Sequence, residues 1–315
     1  MNRKIVFLDA ATLGKDISLD PIAALGELAC YDATPPDKVK ERIRDCEILI
    51  VNKVVMGKAQ IDAAPGLKLI CEAATGVNNI DVEYAASRGI EVRNVAAYST
   101  ESVVQTTFMH LLSLMQGGRY YDGFVKDGSY SRSGSFTCMD VAWHELDGKK
   151  MGIVGLGTIG SRVAQVAAAF GMEVSYYSTS GTNHSSIYPA LTLEELMAGS
   201  DVISVHAPLN SRTDGLIGYR ELSMMKKTSY ILNMGRGGIV VEADLARALD
   251  EGLLAGAGLD VFGREPLPEG HPFLNMTHPE RLSLSPHVAW ASVEARYRLV
   301  QGIASNIISF IKKPK

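Results

Sequence analysis

Short apolar runs rich in β-branched residues alternate along the chain with amphipathic stretches. "KIVFLD", "EILIV", "LKLICEA" and "IEVRN" read as strands, and "PDKVKERIRDC" and "DVEYAASRG" between them read as helices. Strands linked by helices predict a parallel sheet covered on both faces, because a parallel crossover must span the sheet and does so as a helix. "STESVVQTTFMHLLSLMQGG" then predicts one long helix stopping at Gly117–Gly118, with the polar stretch "KDGSYSRSGSF" after it. The alternation restarts with "KKMGIVGLGTIG", "EVSYYS", "DVISVHAP", "SYILNMG" and "LAGAGLDV". The pattern predicts an α/β protein with two doubly wound parallel-sheet domains, a division that the length of 315 residues also favours.

The second pattern carries a motif. "MGIVGLGTIGSRVAQVAAAFG" sets Gly155-x-Gly157-x-x-Gly160 between a strand and a helix. Gly155 permits the tight turn, Gly157 lets a pyrophosphate approach the backbone, and Gly160 lets the helix pack on the strand. The amides of Thr158 and Ile159 open the helix, whose N-terminus favours phosphate charge. The strand before and the helix after supply the context that a dinucleotide site requires. Ahead of Gly155 lie 154 residues, enough for a domain of their own. "VEARYRLVQGIASNIISFI" has no strand after it, so it is free to fold back onto that first domain. The expected organisation is a discontinuous first domain of residues 1–99 and 287–315, with a dinucleotide domain of residues 100–286 inserted and a cleft between.

Composition narrows the partners. A net charge of −4 argues against nucleic acid and anionic membranes, and no apolar run approaches 18 residues. Cys30, Cys46, Cys71 and Cys138 are scattered without CxxC spacing, as expected of free thiols in a reducing cytoplasm. The seven histidines show no metal-ligand spacing, and no metal is expected.

Further motifs then follow in a set order: "ATGVNNID", "GIEVRNVAAYSTESVVQTT", "HAPL", "NMGRGGIVVEADL", "GLDVFGREP" and "SPHVAWAS". With these the chain resembles, over essentially its full length, the D-isomer-specific 2-hydroxyacid dehydrogenase family. "VNKVV" at Val51–Val55 and "HVAWAS" are most similar to its glycerate dehydrogenase (hydroxypyruvate reductase) members. The resemblance implies a flavodoxin-like substrate domain, an inserted Rossmann domain, NAD or NADP as cofactor, and a homodimer formed through the cofactor domains. It implies a small 2-keto acid substrate such as hydroxypyruvate or glyoxylate. The amides of Gly76 and Val77 would hold the substrate carboxylate. Ser178, His206, Ala207, Pro208, Thr213, Met234, Gly235, Asp260, Arg236 and His287 would line the dinucleotide.

The chemistry of the residues agrees with that reading. Reducing a 2-keto acid needs a grip on the carboxylate, polarisation of the keto oxygen, and a proton donor. Arg236 follows the strand "SYILNM" at its C-terminal end, where open α/β sheets bind ligands. Its planar fork can engage carboxylate and keto oxygen together. His287 would donate the proton in reduction and take it back in oxidation. In the family's pattern Glu265 bonds the other imidazole nitrogen and favours the charged ring. Lys53 either faces the cleft or is simply exposed, and Trp290 either walls a small pocket or joins the core. A phosphoglycerate dehydrogenase would need a basic phosphate pocket, for which Lys53 is the one candidate. A dinucleotide-sensing corepressor would need a recruiting tail, and none is evident. Formate dehydrogenase is disfavoured by Glu265, since formate has no oxygen to protonate.

Cofactor choice departs from the NAD pattern. Ser178 stands 18 residues after Gly160, where an NAD site usually places Asp or Glu on the ribose 2′-hydroxyl. Hydroxyl residues fill "SYYSTSGTN" instead, and no Arg or Lys follows before Pro189. The expectation is that both dinucleotides serve.

Overall fold

Strands β1 (Lys4–Phe7), β2 (Glu27–Cys30), β3 (Ile48–Val51), β4 (Leu69–Glu72) and β5 (Glu91–Arg93) form an all-parallel sheet in the order β2-β1-β3-β4-β5. This is the flavodoxin-like order. β3 is buried along its whole length, as its unbroken apolar run requires of a strand covered on both faces, and β4 is equally buried although it ends in Glu72. One face is closed by the helix Val293–Ile311, which sets Leu299, Val300, Ile303 and Ile307 against Ile5, Phe7, Ile50 and Leu69. The other packs Val39, Ile43 and Ile61 against Val6, Leu49 and Ile70. Each fully buried aliphatic side chain contributes about 1.5–3 kcal/mol, so the C-terminal helix is integral to this unit.

The second sheet contains β6 (Lys150–Val154), β7 (Glu173–Tyr177), β8 (Val202–Val205), β9 (Tyr230–Asn233), β10 (Gly256–Leu259) and β11 (Leu282–Leu284). Its order is β11-β10-β9-β8-β6-β7, again all parallel, with the direction of winding reversing between β6 and β8. Such a switch point leaves a crevice at the carboxyl ends of the strands. The predicted long helix runs Thr100–Met115 and lies over β9, β10 and β11. It comes so close that a Cβ on Gly258 would stand 2.8 Å from His110 Cβ.

The computed structural model describes residues 3–312 and divides them into two compact units. One comprises the chain up to Ser99 together with the segment from Trp290, and the other is Thr100–Ala289. The chain therefore returns three residues later than expected, and His287 belongs to the second unit rather than the first. The cause is Asp260, whose carbonyl accepts from the His287 amide and whose carboxylate accepts from the amides of Val288 and Ala289. Among the described residues no helix is long and apolar enough to cross a membrane.

Candidate active site

The glycine turn leaves β6 and enters the helix Thr158–Ala169. Gly155 sits at φ +93°, where an L side chain is strained, and a Cβ there would come within 2.9 Å of Ala207. A Cβ on Gly160 would lie 2.2 Å from the Gly155 carbonyl oxygen, so only glycine lets the helix close on the turn. Gly157 faces open space. Among the described residues the amides of Thr158 and Ile159 donate to no protein group. Open space above unsatisfied helix-terminal amides is what a pyrophosphate needs. The residues present thus fit a dinucleotide.

The neighbouring strand ends line the same rim. After β7, the Ser178 hydroxyl is buried without a hydrogen-bond partner among the described residues. After β8, His206 bonds the Ser204 hydroxyl through Nε2 at 2.8 Å, and its Nδ1 is likewise buried and unpartnered. Burial drives this imidazole down to about 3, so the ring is neutral. Ala207 packs on Gly155, Pro208 is exposed beside it, and Met234 and Gly235 are buried at the end of β9. Thr213 was expected along the dinucleotide, but its hydroxyl donates to the Pro208 carbonyl at 2.6 Å and accepts from the Asn210 amide at 2.9 Å. It shapes its own loop.

Arg236 follows β9 and is half-buried, with Nη1 donating to the Gly235 carbonyl at 2.9 Å. Asn233 fastens this turn by donating to the Arg236 carbonyl and accepting from the Gly235 amide. A Cβ on Gly237 would fall 1.9 Å from the carbonyl carbon of Phe262. The absence of a side chain there lets the loop after β9 abut the loop after β10, which carries Glu265. Glu265 Oε1 accepts from the Phe262 amide at 3.0 Å, and Oε2 lies 2.7 Å from His287 Nδ1. Both side chains of this pair are partly open to solvent, at 24% for His287 and 32% for Glu265, so the ring is reachable.

His287 itself occupies the left-handed region at φ +54°, a conformation that costs a non-glycine residue roughly 1 kcal/mol or more. Asp260 holds it there. This residue too was expected to face the dinucleotide, but it is 1% exposed and turned inward. Its Oδ1 takes the Ser285 hydroxyl at 2.5 Å and the Val288 amide at 2.9 Å, and Oδ2 takes the Ala289 amide. Beneath Ser285 lies His110, bonded through Nε2 to Ser285 at 2.9 Å and through Nδ1 to Ser283 at 2.8 Å. Burial pushes the His110 ring down to about 4, leaving it neutral. Sequence reading gave His110 no role. Nothing in a histidine on an amphipathic helix announces a buried partner 173 residues away.

In the first unit, Gly76 and Val77 lie in the loop after β4, and neither amide donates a hydrogen bond among the described residues. Lys53 follows β3 and is exposed. Its backbone is pinned by Asp9, whose buried carboxylate accepts from the amides of Asn52, Lys53 and Val54. Trp290 packs on the core of this unit, edge-on to Tyr98 at 6.3 Å between ring centroids.

Glu72, at the end of β4, was read only as part of a strand. It is fully buried, with Oε2 accepting from Asn79 of the Gly76–Val77 loop at 3.0 Å and Oε1 unpartnered among the described residues. Burial raises its carboxyl from 4.5 to about 8. The folded protein keeps this proton while the unfolded chain releases it, so stability is lost as pH rises from about 4.5 to about 8. We expect Glu72→Gln to flatten the decline of the urea midpoint across that range. Equal slopes for wild type and variant would show that Glu72 is ionised in the fold.

Comparison with known proteins shows what the chain is similar to. Residues 108–289 match the family described as D-isomer specific 2-hydroxyacid dehydrogenase, NAD binding domain. The chain is 35% identical to a hydroxypyruvate reductase of Blautia hydrogenotrophica, over 98% of this chain and 97% of that one. It is 33% identical to a glycerate dehydrogenase of Methylorubrum extorquens, over 99% and 97%. An NADPH-dependent glyoxylate/hydroxypyruvate reductase of Sinorhizobium meliloti, solved with NADP and malonate, superposes with a TM-score of 0.84 at 28% identity, over 99% and 95%. The chain belongs to the D-isomer-specific 2-hydroxyacid dehydrogenase family, oxidoreductases built on an NAD-binding domain.

Proposed function

We propose that this dehydrogenase reduces hydroxypyruvate or glyoxylate to the corresponding 2-hydroxy acid, and runs the reverse oxidation, with Arg236, Glu265 and His287 as its catalytic residues. The observation that carries this reading is the 2.7 Å contact between His287 Nδ1 and Glu265 Oε2. With Nδ1 engaged by the carboxylate, the proton to be delivered resides on Nε2. A bound nicotinamide dinucleotide would supply the hydride. His287 protonates the keto oxygen as the keto carbon becomes tetrahedral, and Glu265 stabilises the charged ring beforehand. Arg236 holds the keto oxygen and polarises it. The substrate carboxylate falls to the amides of Gly76 and Val77, which donate no hydrogen bond among the described residues, with Lys53 as a further cation.

A homodimer through the second unit belongs to this reading. It is supported by Phe136, Met139 and Trp143, exposed at 91%, 82% and 50% in one segment of that unit. The cytoplasm is the compartment we assign, supported by four free thiols. The test is steady-state turnover of hydroxypyruvate, glyoxylate, pyruvate and 3-phosphohydroxypyruvate with each reduced dinucleotide. We expect the first two to give the highest kcat/KM, and a best rate with the phosphorylated acid would overturn the assignment.

A further inference from the structure

The loop after β7 is not as neutral as its sequence. Ser178, Thr179 and Ser180 follow the strand, and Asn183 ties the loop over the glycine turn by donating to the Leu156 carbonyl at 3.4 Å. Ser180 and Thr182 bond each other's hydroxyls at 2.8 Å. No carboxylate occurs from Ser178 to Pro189. Into this rim of hydroxyls comes a cation from elsewhere in the chain. Arg212, in the loop after β8, donates from Nη1 to the Ser180 carbonyl at 3.2 Å. Its remaining guanidinium donors make no hydrogen bond among the described residues, and it forms no ion pair there. At the start of the same loop the Ser178 hydroxyl is buried with no hydrogen-bond partner among the described residues.

We propose that Arg212 and the hydroxyls of Ser178–Ser180 seat the 2′-phosphate of NADP(H), and that the protein binds NADPH more tightly than NADH. The proposal rests on the reading of the second unit as a dinucleotide site, and concerns which dinucleotide it selects. A guanidinium anchored by one N–H keeps a fork of donors matched to phosphate oxygens. A ribose 2′-hydroxyl offers that cation no charge, and the rim offers the hydroxyl no carboxylate to bond. Selection by a remote arginine is possible because the loops after β7 and β8 flank β6, on which the motif sits.

The test is direct binding to the full-length protein, by fluorescence titration with NADPH and NADH and by competition with 2′,5′-ADP and 5′-AMP. Wild type should favour NADPH and 2′,5′-ADP by about 10- to 100-fold, the usual worth of a hydrogen bond to a charged group. Arg212→Ala should remove most of that preference and leave NADH affinity within about twofold, while Arg212→Lys should keep part of it through charge alone. Tighter binding of NADH by wild type, or equal loss for both dinucleotides in Arg212→Ala, would overturn the proposal while leaving the dinucleotide site in place. Failure to bind either dinucleotide would overturn both readings.

Discussion

Replacing His287 with alanine should lower kcat for 2-keto acid reduction by about 10²–10⁴-fold, the usual worth of general acid catalysis, while the dinucleotide still binds. The left-handed turn at φ +54° is held by main-chain groups, the amides of residues 287, 288 and 289 bonding Asp260. Those bonds do not involve the imidazole, so the variant keeps the turn and loses only the ring. The glycine turn is formed by other strand ends and should stay intact. Rate and binding should therefore separate. A variant retaining more than half of wild-type kcat would remove His287 from the chemistry.

Arg236→Lys should reduce kcat/KM by about 10- to 100-fold, from the loss of a charged hydrogen bond worth about 1.5–3 kcal/mol, with KM rising and kcat falling. Lysine keeps the charge but cannot present two parallel donors, so the fall measures geometry rather than electrostatics. The turn should survive, because Asn233 fastens it through main-chain atoms of Gly235 and Arg236. Kinetics within threefold of wild type would mean that a point charge suffices, and that the fork has no part in polarising the keto oxygen.

Much of this architecture was legible from the chain, for definite reasons. Strands buried on both faces are largely apolar, so β3, β4 and β8 announced themselves despite Glu72 and Ser204. The glycine motif was equally plain, because a Cβ at Gly155 or Gly160 would strike backbone. Two strands were missed. β2 is an edge strand with mostly exposed side chains, and β11 is three residues long, so neither carries a periodic signal. What stayed hidden in the site is what depends on approach between distant segments. The carboxylate of Asp260 could as well have faced a ligand, and the fold turns it inward to the loop of His287. Glu72 looked like the polar end of a strand, until the sheet buried it beneath Asn79. Arg212 lies 32 residues beyond Ser180, and reaches it only because β8 returns to the other side of β6. Positions at strand ends could be read from the sequence, whereas the partners that Asp260, Glu72 and Arg212 find across the fold could not.

We propose that His287 delivers its proton while partnered by Glu265, and the pH–rate profile of Glu265→Gln tests this most directly. Delivery of the proton requires the charged ring, which a neighbouring carboxylate favours. A glutamine can still bond Nδ1 but no longer favours the positive form. The pH at which kcat/KM for hydroxypyruvate declines should move to lower values in the variant, with dinucleotide binding preserved. A profile that stays where wild type has it would show that the 2.7 Å contact does not govern the proton, and would contradict the assignment of the pair.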